Sequence, residues 1–454
     1  MAAAALVAGV AGHAPAAGAQ TTAGGPDGVM VSVVGNQLVD ASGHPIQLRG
    51  VDRSGTEYAC AEGWGIFDGP SDATSVAAMQ SWHVNAVRVP LNEDCWLGIN
   101  GVSAAVGGSS YRTAIEAYVH ELNQAGIVAV IDLHWGAPGN ELATGQESMP
   151  DADHAVAFWT SAAGAFAGTP GVIFDLFNEP HDVSWSCWLN GCEMSGGWQA
   201  VGMQTLVDTV RSTGATQPIM VEPLGYGGDL SGFLANEPVD PDHQLVASLH
   251  LYNPSGCNTL SCWNSVIAPV AARLPVVTGE LGEYDCSSAF VESYMAWADA
   301  HGVSYLGWTW DAGGGWTCSS GPALIQDYSG TPNAFGAGFE DHLASLATVH
   351  TSYALGHSWG DGGIGQLTVT NTGSHPVGTT ADPWTIRFAL TTPTVVSSMW
   401  NAVLTSDSDG VVVATAPSYT PVLAPGQSIS IGYVIGGGQA PPSEIDVDGV
   451  ATGS

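Results

Sequence analysis

The sequence predicts an α/β chain in two parts: a (β/α)8 (TIM) barrel over residues 28–345, then a small all-β antiparallel sandwich over residues 350–450. Three observations predict this. Eight short apolar runs rich in β-branched residues recur along the first part. Most of the gaps between them carry helical spacing. After about residue 347 the helical patterns stop and short alternating strands separated by Gly and Pro begin.

The eight runs are Ile46 to Asp52, Asn85 to Leu91, Ile127 to His134, Val172 to Glu179, Pro218 to Pro223, Leu245 to Tyr252, Pro275 to Glu280 and Ser304 to Asp311. Near-continuous apolar strands of this length read as buried on both faces, as in a parallel sheet. Thr113 to Gly126, Asp153 to Gly168 and Gln199 to Gly214 have helical spacing and end in a glycine suited to closing a helix. In the second part, Gly365 to Asn371, Trp384 to Leu390, Gly410 to Thr415 and Gln427 to Tyr433 alternate as strands of a sandwich.

Composition bounds the partners. There are 42 acidic residues against 7 basic ones, all arginine, for a net charge of −35. That excludes nucleic-acid binding through phosphates and argues against docking on an anionic membrane. At 45% hydrophobic residues the chain can still fill a core. The acidity suits either solubility in mild salt or a surface adapted to concentrated salt. Residues 1–19 are Ala-rich and end in Ala17-Gly18-Ala19, the form of a signal-peptide cleavage site, and no other run has membrane-spanning length. A secreted, extracellular monomer is expected. Eight cysteines fit export, and they permit 105 pairings. Locality suggests Cys187 with Cys192 and Cys257 with Cys262, with Cys60–Cys95 and Cys286–Cys318 following. The paired CxxC spacing of structural zinc is missing, and no metal is expected.

Polar and aromatic residues gather where the runs end: Arg88, His134, Asn178, Glu179, His250, Tyr252, Glu280, Trp308 and Trp310. In a barrel these strand ends and their loops carry the active site. Glu179 ends the fourth strand and Glu280 the seventh, so both carboxylates can face one cleft. Two carboxylates flanking a sugar bond are what glycoside hydrolysis requires: one holds a proton for the leaving oxygen, and the other is ionised and attacks the anomeric carbon. Burial and the partner's charge are expected to raise the acid's pKa. Arg88 can keep Glu280 ionised and Tyr252 can hydrogen-bond it. Asn178 can hold a sugar 2-OH, His134 and His250 can position sugar or acid, and Trp308 can stack on a pyranose. Trp310 reads as core or cleft wall.

Seven motifs stand in order: Leu48-Arg-Gly-Val51, Asn85-Ala-Val-Arg-Val-Pro90, Asp132-Leu-His134, Phe177-Asn-Glu-Pro180, His250-Leu-Tyr252, Gly279-Glu-Leu-Gly282 and Trp308-Thr-Trp310. On these, residues 28–345 resemble the cellulase-like group of glycoside hydrolase family 5. The resemblance implies a retaining mechanism with Glu179 as acid/base and Glu280 as nucleophile. It implies Arg88, His134, Asn178, His250, Tyr252 and Trp308 as the supporting set. A retaining pair stands about 5–5.5 Å apart. The insertion His181 to Cys192 departs from the pattern and looks clamped by a disulfide. Trp135, Trp185, Trp188, Trp198 and Trp316 lie nearby in loops or helix starts, where they either pack under the loops or set sugar subsites.

The second part resembles a family 2 carbohydrate-binding module. The matching stretches are Ser358-Trp-Gly360, Thr368 to Gly373, Pro383-Trp-Thr385, Met399-Trp-Asn-Ala402, Leu423 to Gln427 and Ile431-Gly-Tyr433. The resemblance implies a flat strip of Trp359, Trp400 and Tyr419 for cellulose or chitin, with Trp384 as core. The module's terminal cysteine pair and the usual linker are missing, so docking on the barrel as a purely structural domain is the other reading. The expected function is a secreted endo-β-1,4-glycanase, foremost an endoglucanase, acting on a β-glucan or mannan with no cofactor. A β-mannanase is the alternative enzyme, and a non-catalytic polysaccharide-binding protein the alternative class.

Overall fold

The computed structural model describes residues 29–451 except 42, 44, 314–316, 320, 347–348, 361, 373–376, 379–382, 391–394, 409, 425, 438–440 and 448–449. The leader-like stretch 1–19 and Trp316 lie outside the described residues. Eight parallel strands close into a barrel in chain order: β1 (Arg49–Asp52), β2 (Ala86–Asn92), β3 (Val128–Trp135), β4 (Val172–Asp175), β5 (Ile219–Val221), β6 (Leu245–Tyr252), β7 (Val276–Gly282) and β8 (Ser304–Gly307). Each falls inside or across one of the eight apolar runs. The residues of β2, β4, β5, β7 and β8 are all buried, which explains why these strands read as continuous rather than alternating.

Helices follow most strands: α1 (Ala73–Ser81), α2 (Ser109–Gln124), α3 (Ala155–Phe166), α4 (Met203–Ser212), α5 (Ala289–His301) and α6 (Ala334–Leu346). On α2 the buried residues Tyr111, Ile115, Tyr118, Val119 and Leu122 recur every three or four positions, one face of a 3.6-residue helix. Two positions depart from the regular unit. After β5 there is only the 3-10 turn Leu230–Ala235, and Pro238 follows within three residues. After β6 the helical stretch 260–271 contains a π turn, Trp263–Ile267, just before Pro269, whose missing N–H an unbroken α-helix would need.

A three-stranded antiparallel sheet (Ser32–Val34, Gln37–Val39, Pro45–Ile46) precedes the barrel. Its Val31, Val33 and Leu38 pack with Leu48, Ala86, Val128, Val246 and Val277 at the strand starts, so it closes the barrel floor and leaves the opposite mouth for chemistry. The four disulfides are Cys60–Cys95, Cys187–Cys192, Cys257–Cys262 and Cys286–Cys318. They join neighbours, as locality suggests, and all lie outside the barrel strands.

Among the described residues the second part has nine strands in two antiparallel sheets, more than the four that alternation marks out. One sheet has the order β9 (Val349–Trp359), β10 (Gly362–Asn371), β15 (Ser428–Gly436), β12 (Val395–Trp400). The other has the order β13 (Val403–Ser408), β14 (Val411–Thr415), β11 (Thr385–Ala389), β16 (Ser443–Val447), β17 (Val450–Ala451). Their facing side chains, among them Leu367, Val369, Ile386, Phe388, Ile431 and Tyr433, form a core around Trp384.

Buried acids support the mouth loops and give stability a sign with pH. Burial pushes Glu57, in the loop after β1, up to about 8. It pushes Glu93, beneath the loop after β3, also to about 8. His154, whose Nδ1 stands 3.6 Å from Glu93 Oε1, is raised to about 9. All three bind a proton in the folded chain that the unfolded chain releases at lower pH. Their contribution is fully present below the ordinary carboxylate and imidazole values and is lost as pH rises through 8 to 9. Tm is therefore expected to fall by about 4 °C or more between pH 5 and pH 8.5, and Glu93→Gln to flatten the slope. Thermal melts across that range check this; a Tm that climbs with pH contradicts it.

Candidate active site

The mouth is organised around one buried arginine. Arg88, in β2, donates from Nε to Asp175 (2.9 Å), from Nη1 to Asp52 (3.1 Å) and Glu280 (3.0 Å), and from Nη2 to Asn178 (2.9 Å) and Glu222 (3.0 Å). Nη2 also stands 2.9 Å from Asp132 Oδ2. These partners come from or just after β1, β3, β4, β5 and β7, so one guanidinium bridges most of the ring. Its planar fork of donors suits this where an ammonium would not.

Glu280, in β7, accepts from Arg88 on Oε1 and from the Tyr252 hydroxyl on Oε2 at 2.5 Å. Glu179 lies four residues beyond the end of β4. Its Oε1 meets His250 Nδ1 at 2.9 Å and its Oε2 accepts from Gln146 at 2.9 Å. Its backbone is left-handed, φ 52°, a conformation that costs a non-glycine residue about 1–3 kcal/mol and is held by its surroundings. The Glu179 N–H donates to Glu222 Oε2 at 2.7 Å. One oxygen from each of Glu179 and Glu280 and a nitrogen of His250 all lie within 4.8 Å of one another.

The structure brings the eight predicted residues together. His134, Asn178, Glu179, Tyr252, Glu280 and Trp308 line one open cleft of about 250 Å³, with Gln146, Tyr284 and Gly321. Arg88 and His250 lie buried beneath it. The His134 ring is nearly parallel to Trp308, 9° between planes, and Nδ1 is 2.6 Å from Asp132. Burial lowers His134 to about 4 and raises Asp132 to about 8, so near neutral pH the pair is an uncharged hydrogen bond. Trp310 is core, edge-on to Trp82 at 4.9 Å. Trp188 is also packing: it is buried and its indole donates to the Glu222 carbonyl.

The proton balance differs from the sequence expectation. Burial alone would raise Glu179, but the hydrogen bond and charge of His250, with Gln146, outweigh it and hold Glu179 below its ordinary value. Burial and the charge of Glu179 raise Glu280 against the pull of His250 and Arg88. The expected order of the two glutamates is reversed, because His250 is cationic: the charges of Glu222 and Glu280 and the bond to Glu179 overcome its burial. The acid/base reading of Glu179 places the proton on Glu179 rather than on Glu280.

Sequence reasoning missed Gln146, Tyr284 and Glu222. Gln146 sits in a long loop with no periodic signal. Glu222 was inside a marked strand, Pro218 to Pro223, and a charge within an apolar run was the signal that could have found it. Among the described residues, Glu93/Asp94/His154 and Asp132/Asp175/Glu222 also have the spacing of metal ligands. In the second group Asp132 and Glu222 share Arg88 Nη2 and Asp175 takes Nε. In the first, both Asp94 oxygens accept protein hydrogen bonds.

On the sandwich, Trp359 in β9 pairs with Gly362, and Trp400 in β12 pairs with Gly432, itself opposite Gln366 of β10. Residues 362 and 366 share a strand face, so both indoles lie on the same side of the sheet. Gly432 leaves no room for a Cβ beneath the Trp400 ring. Tyr419 donates to Asn401 at 2.8 Å, beside Trp400. All three rings are exposed, Tyr419 by 69%.

A close carboxyl pair at the mouth of such a barrel belongs to the chemistry of glycosidic-bond hydrolysis. Residues 39–314 match the sequence model of the cellulase family (glycosyl hydrolase family 5), and the chain belongs to that family as a β-glycanase. Residues 349–452 match the model of a cellulose binding domain. The chain is 25% identical over 314 residues to a mannan endo-1,4-beta-mannosidase of Streptomyces lividans, covering 66% of this chain and 70% of that protein. It is also 25% identical over 291 residues to endoglucanase CelA of the same organism, covering 61% and 55%. A solved β-glucanase of Saccharophagus degradans superposes with TM-score 0.53 at 20% identity, over 70% of this chain and 94% of that one. At that identity the likeness concerns the fold.

Proposed function

We propose that this chain is a secreted, retaining endo-β-1,4-glucanase in which Glu280 is the nucleophile and Glu179 the acid/base. The observation that carries the reading is the close set of Glu179, His250 and Glu280, with Arg88 and Tyr252 fastened to Glu280. Glu280 attacks the anomeric carbon and forms a glycosyl ester. The glycosidic C–O bond breaks and the leaving oxygen takes the Glu179 proton. Glu179, now a carboxylate, takes a proton from water, which attacks the same carbon and releases Glu280. The low pKa of Glu179 suits its second role as base. Asn178 and His134 are the groups that hold sugar hydroxyls, and Trp308 stacks beneath the ring. Water is the only co-reactant this sequence of steps needs. On the sandwich, Trp359, Trp400 and Tyr419 are the cellulose-facing strip, where aromatic faces stack on sugar C–H bonds without desolvating charge.

The β-mannanase reading stays open because the identity to a mannanase and to an endoglucanase is equal. Reducing-sugar release from carboxymethylcellulose, mannan, xyloglucan and laminarin decides between them. The greatest release is expected on carboxymethylcellulose; greater release on mannan would replace the glucanase assignment with a mannanase.

A further inference from the structure

Glu222 ties the two glutamates together. It follows β5 and is fully buried. Its Oε2 accepts the Glu179 backbone N–H at 2.7 Å, and its Oε1 accepts Arg88 Nη2 at 3.0 Å. Oε1 also stands 3.0 Å from His250 Nε2, off the axis of a hydrogen bond, which makes the contact an ion pair. The other ring nitrogen of His250, Nδ1, meets Glu179 Oε1 at 2.9 Å and lies 3.5 Å from Glu280 Oε2. Gly227 backs the ring closely: a Cβ there would stand 2.9 Å from His250 Cγ.

Several titratable groups surround His250: Glu179 and Asp175 from the β4 region, Glu222 after β5, Glu280 from β7, Arg88 from β2, Asp132 from β3 with His134 beside it, and Asp52 from β1. Tyr252 lies on its own strand. Burial holds Asp52, Asp132 and Asp175 well above their ordinary values. Glu222 goes the other way: His250 and Arg88 outweigh its burial and lower it to about 2. It is therefore the standing anion between two cations.

We propose that Glu222 is a positioning residue for the acid/base: through the Glu179 backbone N–H and through the His250 ring, it sets where the Glu179 carboxyl sits and when it carries its proton. This rests on the reading of Glu179 as acid/base. A residue that acts only through the acid matters when the leaving oxygen needs a proton and matters little when it does not. That gives a readout that loss of folding would not produce.

The test is kcat/KM for aryl β-cellobiosides whose phenols run from weakly acidic to dinitrophenol, measured on the parent, Glu222→Gln, Glu222→Asp and Glu179→Ala. Aryl β-mannobiosides replace them if mannan proves the better polymer. For Glu222→Gln, a loss of about 10²-fold is expected with the poorest leaving group, shrinking to within about threefold for dinitrophenol. The basic limb of its pH profile should move to higher pH, because a His250 that has lost its counter-ion no longer holds the Glu179 proton off. Glu222→Asp keeps the charge but retracts from the Glu179 N–H. It should show a smaller leaving-group dependence and no shift of the limb.

Equal losses across all leaving groups with an unmoved limb, in either variant, overturn the proposal. Glu179→Ala reads the parent claim separately. It should show the full leaving-group dependence and rescue by azide. If it shows neither, the acid/base assignment fails. If it shows both while the Glu222 variants do not, only the role of Glu222 fails. Should Glu222→Gln not fold, the Asp variant alone decides.

Discussion

Replacing Glu280 with glutamine is expected to lower kcat on a soluble β-glucan by about 10⁴-fold or more, with KM little changed. The amide is nearly the same shape, so the cleft keeps its form. It cannot form the glycosyl ester, so the first displacement has no nucleophile. The same substitution should not cost stability. Glu280 is buried among Glu179, Asp52 and other acids, and its pKa is raised by that burial. A neutral side chain there removes a repulsive charge, the usual relation between a catalytic group and the fold that strains to hold it. The expected pair of results is therefore an inactive enzyme with an unchanged or higher Tm. Reducing-sugar release and a thermal melt on one preparation measure both. Release within tenfold of the parent would end the nucleophile assignment, and a collapsed Tm would show that Glu280 is needed for folding.

The barrel was legible because burial on both faces leaves its mark in sequence: β2 and β7 are unbroken apolar runs until the functional residue appears. A polar group within or just past a strand interrupts the apolar pattern, and so Arg88, Glu179, His250 and Glu280 could be read off. The floor sheet was not legible. Its strands are two or three residues long, and Val31, Val33 and Leu38 acquire meaning only against strand starts that are distant in sequence. Nor was the reversed proton order. His250 looks neutral in isolation; only the approach of Glu179, Glu222 and Glu280 from three other strands makes it a cation. Gln146 escaped for a related reason, since its bond to Glu179 is made by a loop whose path no local pattern fixes. What sequence alone conveys here is which residues are anomalous for their strand, while the charge each one carries is a property of the assembled ring.

That ring makes Arg88 the position where substitution should cost the fold most. Arg88→Met is expected to lose about 3–5 kcal/mol of stability together with activity. The methionine fills most of the volume but leaves Glu222 and Glu280 without their shared cation and Asp175 and Asn178 without a donor. The sign with pH separates this from simple loss of packing. In the parent, Glu222 is lowered to about 2, so it contributes stability present above its ordinary value and lost as pH falls through 2. Without Arg88 that depression shrinks, and every carboxyl in the ring takes up protons at higher pH. The penalty should be largest near pH 7 and clearly smaller near pH 4. Arg88→Lys keeps the charge on a compact ammonium with three donors, which cannot reach partners arrayed around a planar fork. It should recover part of the stability and little of the activity. Denaturant melts of the three chains at pH 4 and pH 7 measure this. A Met penalty equal at both pH values would mean that Arg88 acts by filling space, and the electrostatic account of the ring would fall with it.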